Sequence, residues 1–158
     1  GLSEILKYYP DAIIVQTHRA PMSLVASGCS FSEVLRRSGS DHIDRAEIGR
    51  DWMDMLSIYT HTFEADRARL EPLHPGQFLD LHHDDFVADP WPGIEAIYRL
   101  RGTPLGATPR AAMADWLAAH PRGKHGKHEY RLEDYGISRA QVEELFGDYV
   151  KRYNLDMD

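Results

Sequence analysis

Arg19 and Ser27 stand eight residues apart, just after a short run of apolar, β-branched residues. Ligands of open α/β sheets bind at the carboxyl ends of strands. There Arg19 would offer a planar fork of donors suited to a phosphate, and Ser27 a neutral hydroxyl two helical turns later. The helix N-terminus between them would add a favourable dipole and free N–H groups. The alternative is that Arg19 pairs with a surface carboxylate and Ser27 packs as a small residue. A second candidate is Pro121-Arg122-Gly123-Lys124-His125-Gly126-Lys127-His128, which holds three formal cations, two glycines and two histidines after its proline. Glycines let the backbone approach an anion closely and aim successive N–H groups at it. A solvated basic turn is the competing explanation. No G-x-x-x-x-G-K-S/T stretch occurs, so this is not a Walker A loop.

A third cluster, His82-His83-Asp84-Asp85, holds four potential metal ligands in a row. Adjacent strand residues point to opposite faces, so the two imidazoles would not converge on one ion. A polar turn at a strand end, leading into Asp89-Pro90, accounts for it better. His18, His42, His61, His74 and His120 are scattered and receive no role. Cys29, the only cysteine, has no visible activating partner and reads as a small apolar filler.

The elements that must position these residues follow from periodicity. A helix-like segment, Ser3 to Tyr9, is broken at Pro10-Asp11. Residues 12–16 form a first strand, expected to be buried on both faces. Pro21 suits the first turn of a helix through Ser27, with a continuation or second piece near Phe31 to Arg37. Ile48, Trp52, Met55, Tyr59 and Phe63 recur at spacings of three and four, predicting a long helix from Arg45 to Leu70 with the Trp52, Tyr59 and Phe63 stripe in the core. Residues 77–81 give a second strand. Asp89-Pro90 starts a helix closed by Gly102, another runs from Pro109 to Ala119, and a last one carries Val142, Phe146 and Tyr153. Two strands rarely make a stable sheet alone. The chain therefore reads as one truncated domain, residues 1–158, whose missing strands lie upstream.

The 158 residues carry a formal charge of −7, with 42% apolar and 27% charged residues. Setting aside the three cations at 121–128 leaves −10, so no long-range attraction to nucleic acid or anionic lipid is expected. No apolar run approaches the ~20 residues of a membrane span. The start lacks signal-peptide features, and a lone cysteine suits a reducing cytoplasm.

Taken in order, several stretches resemble the bacterial branch of the family of sulfotransferases that use 3'-phosphoadenosine-5'-phosphosulfate (PAPS). They are Tyr9-Pro10-Asp11-Ala12, Val15 through Pro21, Ser23 through Ser27, His83 through Pro90, His120 through Gly126 and Tyr130 through Ile137. The resemblance implies an α/β, partial P-loop-like sulfotransferase fold with few parallel strands and a majority of helices. It assigns Arg19 and Ser27 to the 3'-phosphate of the nucleotide, with Arg122, Gly123 and Lys124 closing over the same phosphate. His83 stands where the family often has a tyrosine near adenine. PAPS would be the co-substrate, without a metal, and a hydroxyl-bearing small molecule the acceptor. The family's 5'-phosphosulfate loop and proton acceptor are not found, so no catalytic residue is assigned and the chain alone is expected to transfer little or no sulfuryl. The competing expectations are a noncatalytic remnant or interaction module that binds 3',5'-ADP weakly or not at all, an ATP-dependent phosphotransferase, and a metalloenzyme built on residues 82–85.

Overall fold

The computed structural model describes residues 1–120 and 131–158. Within them the order is α1 (Leu2–Tyr8), β1 (Ile14–His18), α2 (Pro21–Arg37), α3 (Arg45–Leu70), β2 (Phe78–His82), α4 (His83–Ala88), α5 (Trp91–Leu100), α6 (Ala107–Ala119) and α7 (Arg139–Tyr153). Short 3₁₀ turns at Glu71–Leu73 and Leu132–Tyr135 complete the order. The architecture is α/β with helix in the majority, as expected. Among the described residues the sheet has two strands, parallel, with Ile14 opposite Phe78, Gln16 opposite Asp80 and His18 opposite His82.

The first strand begins two residues later than the apolar run suggested. Before it, the Gln77 side chain donates to the carbonyls of Pro10 and Ala12 at 2.8 and 2.9 Å. The ladder then starts with the Ile14 amide on the Gln77 carbonyl at 2.7 Å. The strand is also not buried on both faces. Ile14, Gln16 and His18 turn inward, whereas Val15 and Thr17 are exposed.

Pro21 occupies the first turn of α2, which runs unbroken to Arg37. α3 spans the expected Arg45–Leu70, started by Asp44, whose side chain accepts from the Glu47 amide. Tyr59 departs from the core stripe predicted for it, being 64% exposed, while Trp52 is partly buried with its indole N–H on Ser32. Residues 83–88 form α4 rather than a simple polar turn. Asp84 and Asp85 complement the positive end of that helix, and Phe86 packs toward Gly93 of α5. α5 begins after Pro90, with the Asp89 carboxylate accepting from the Trp91 amide at 3.2 Å.

The main core is helical. Met22, Val25 and Cys29 of α2 meet Ile48 and Met53 of α3, Tyr135 of the 3₁₀ turn and Val142 and Phe146 of α7. A smaller cluster of Leu2, Leu6 and Leu70, backed by Ile14, Phe63 and Phe78, supports the strands from α1 and the end of α3. Among the described residues no helix is long and apolar enough to cross a membrane.

Candidate functional site

Because β1 and β2 are parallel and in register, their carboxyl ends finish side by side at His18 and His82. The next residues, Arg19-Ala20 and His83-Asp84-Asp85, line a polar cleft of about 290 Å³ above those ends. Asn154, Leu155 and Asp156, which follow α7, supply another wall. Arg19 and His83, two of the residues singled out from sequence, are thereby brought together. The Asp84 carboxylate beside them accepts from His83 Nδ1 at 2.7 Å. Asp80, in the strand below, is engaged by His18 and Arg67. Arg19 thus lines a cleft whose nearest acids are partly occupied, although Asp85 and Asp156 keep its rim from being strongly cationic.

Ser27 lies half-buried on α2, two turns beyond Pro21, and does not line this cleft. Ser23, one turn earlier on the same helix face, lines a separate cleft with Met22, Ala26, Arg131 and Arg139. Arg122, Gly123 and Lys124 lie outside the described residues. The start of α2 also offers fewer donors than expected. Pro21 has no N–H, and the Met22 amide donates to the Met157 carbonyl at 3.2 Å, so the C-terminal tail consumes one of the free groups.

The run His82–Asp85 is divided by the chain's change of direction, with His82 ending β2 and His83 opening α4. Among the described residues, no group of three or more His, Cys, Asp or Glu side chains is arranged to hold a metal ion.

His18, given no role from sequence, is the residue this geometry most changes. Its side chain is buried, with Nε2 2.7 Å from Asp80 Oδ1 and Nδ1 2.7 Å from the Tyr149 hydroxyl. Burial lowers its pKa despite the opposing pull of Asp80. The neutral ring therefore donates from Nε2 to the carboxylate and accepts at Nδ1 from the tyrosine. The ring also stacks on Tyr153, centroids 3.9 Å apart. Arg67, likewise buried, donates to both oxygens of Asp80, and to Glu71 and Gln16. Its guanidinium is held firmly protonated, chiefly by the hydrogen bond to Asp80. The Asp80 carboxyl, in turn, stays below its ordinary pKa even though burial, the largest influence on it, pushes upward; Arg67 and His18 overcome that push. One signal could have revealed the network. With β1 placed at 14–18, Gln16 and His18 become inward polar residues opposite Asp80 and His82, and inward polar groups require partners.

A family model described as "Sulfotransferase family" matches residues 1–107. Among solved structures, the sulfotransferase STF9 of Mycobacterium avium superposes with a TM-score of 0.84 at 25% identity, over 99% of this chain and 40% of that one. The sulfotransferase STF1 of Mycobacterium tuberculosis gives a TM-score of 0.76 at 34% identity, over 94% of this chain and 36% of that one. The chain thus spans well under half the length of either relative. A comparison with curated proteins gives no significant match. Sequence and fold agree, and the chain belongs to the sulfotransferase family.

Proposed function

We propose that this chain supplies the 3'-phosphate-binding part of a sulfotransferase that moves a sulfuryl group from PAPS to a hydroxyl acceptor. In that reaction the acceptor oxygen attacks sulfur, the bond from sulfur to the 5'-phosphate oxygen breaks, and 3',5'-ADP leaves. The acceptor's proton passes to a base, and the leaving phosphate oxygen takes up charge that fixed donors must stabilise. The observation that carries the proposal is the position of Arg19. It stands at the carboxyl end of a parallel strand, in a polar cleft shared with His83. A guanidinium binds phosphate through two parallel N–H···O bonds, and a cleft at strand ends is where such a ligand belongs in this architecture.

In this assignment Arg19 is the main charged contact and His83 lies toward adenine. Ser27, which lies on α2 outside this cleft, is assigned by the family resemblance alone, as are Arg122, Gly123 and Lys124. The further cations matter because Asp84, Asp85 and Asp156 border the cleft. A phosphate dianion there requires more positive charge than Arg19 alone. The described residues contribute no group assigned to the transfer step, and the chain by itself is expected to bind nucleotide rather than turn over.

Calorimetric titration with 3',5'-ADP tests the assignment. A charge-assisted hydrogen bond contributes ~1.5–3 kcal/mol, so Arg19→Ala should weaken binding by roughly 10- to 100-fold. Tighter binding of ATP than of 3',5'-ADP, or an unchanged affinity in the variant, would contradict it.

A further inference from the structure

The last turn of α7 is tied to the strands by aromatic and polar contacts. Tyr149 donates to His18 at 2.7 Å, and the His18 ring stacks on Tyr153. The Tyr153 hydroxyl donates to Glu64 of α3 at 2.7 Å, and the same carboxylate accepts from Gln16 at 3.0 Å and from Arg152 at 3.0 Å. Asp80, which receives His18, is held by the buried Arg67. Every fully buried side-chain nitrogen and oxygen among the described residues has at least one hydrogen-bond partner, those of this network included. Immediately beyond it the chain turns at Asn154, in the left-handed region at φ 49°, and Asn154, Leu155 and Asp156 form a wall of the Arg19 cleft.

His18 therefore touches both determinants of that cleft. It precedes Arg19 in the chain, so its two ring bonds fix the backbone from which the guanidinium departs. It also clasps the helix end that delivers the Asn154–Asp156 wall. His18 borders the cleft, but its side chain is fully buried and both ring nitrogens are engaged within the protein, so it has no free nitrogen to offer a ligand. We infer that His18, clasped between Asp80 and Tyr149, is a positioning residue that sets how strongly Arg19 holds a phosphate. The inference rests on the nucleotide assignment above.

The test measures affinity for 3',5'-ADP and for 5'-AMP, which lacks the 3'-phosphate, in the 158-residue chain and its variants. The ratio of the two affinities reports the phosphate contact. A loss of folded protein lowers the binding stoichiometry but leaves that ratio unchanged. Tyr149→Phe is the more telling variant, because Tyr149 does not line the cleft and the hydroxyl that the substitution removes is bonded to His18. Removing one net hydrogen bond should reduce the ratio by roughly 3- to 10-fold, and His18→Leu, which removes two, should bring it near one. If His18→Leu does not fold, Tyr149→Phe decides alone. Should Arg19→Ala collapse the ratio while folded Tyr149→Phe and His18→Leu retain it, the positioning role falls and the nucleotide assignment stands. Should the parent chain show no preference for 3',5'-ADP, or Arg19→Ala leave that preference intact, both fall together.

Discussion

Glu33 carries a charge in the main helical core, and its partners explain how. Arg45 donates to both carboxylate oxygens at 3.0 and 2.9 Å, Arg37 adds a bond at 2.6 Å, and the Tyr135 hydroxyl donates at 2.8 Å. These donors, Arg45 foremost, pull the Glu33 carboxyl from about 4.5 down to about 2, against the upward push of burial. A depressed folded pKa means stability that is complete above the unfolded value and is lost as the pH falls through the folded one. The window is therefore roughly pH 4.5 to 2. Arg37 and Arg45 are half exposed, which screens the pair, so the contribution should be about 2 kcal/mol. Denaturant melts of the parent chain and Glu33→Gln should differ by that amount at pH 6 and converge near pH 2. A constant difference across that range would show that the Glu33 charge is not what matters. Sequence disclosed little of this, because Glu33, Arg45 and Tyr135 are far apart in the chain. Arg19 stood out because it comes soon after the apolar run of β1, whereas His83 was singled out by the family resemblance.

At the scale of elements, close approach decides which substitutions the helices accept. A Cβ on Gly49 of α3 would stand 2.1 Å from the Tyr135 carbonyl oxygen, a backbone atom that cannot step aside. A Cβ on Gly147 of α7 would meet nothing within 4 Å. Gly49→Ala should thus force α3 away from the 3₁₀ turn and destabilise by more than ~2 kcal/mol, in the range of overpacked cores. Gly147→Ala should instead stabilise by ~0.5–1 kcal/mol, the ordinary helix-interior preference for alanine. Thermal melts of the two variants check both signs, and a neutral Gly49→Ala would show that the contact is looser than its geometry. Long periodic elements were the legible ones: α3 matched end to end because 26 residues display a 3.6 repeat many times over. α4 was hidden, since six residues hold fewer than two turns and their polar start resembles a loop. The shift of β1 came from a side chain, as Gln77 satisfied carbonyls that an apolar run alone would assign to the ladder.

Across the whole molecule, α2, α3 and α7 form a packed helical body, and two parallel strands project their carboxyl ends into the cleft that holds Arg19. A polar cross-link through Asp80, Arg67, His18 and Tyr149 joins those strands to the helices where apolar packing is thin. The fold class was legible because strand ends, proline-started helices and a long amphipathic helix are each local patterns. The cross-link was not, because its four residues come from four elements. If Arg19 receives the 3'-phosphate of the nucleotide, as proposed, a crystal structure of the chain with 3',5'-ADP will show it. That phosphate is expected within hydrogen-bond distance of the Arg19 guanidinium, in the cleft bounded by His83 and Asn154–Asp156. A phosphate bound instead between Ser23 and Arg131, with Arg19 turned to solvent, would contradict it.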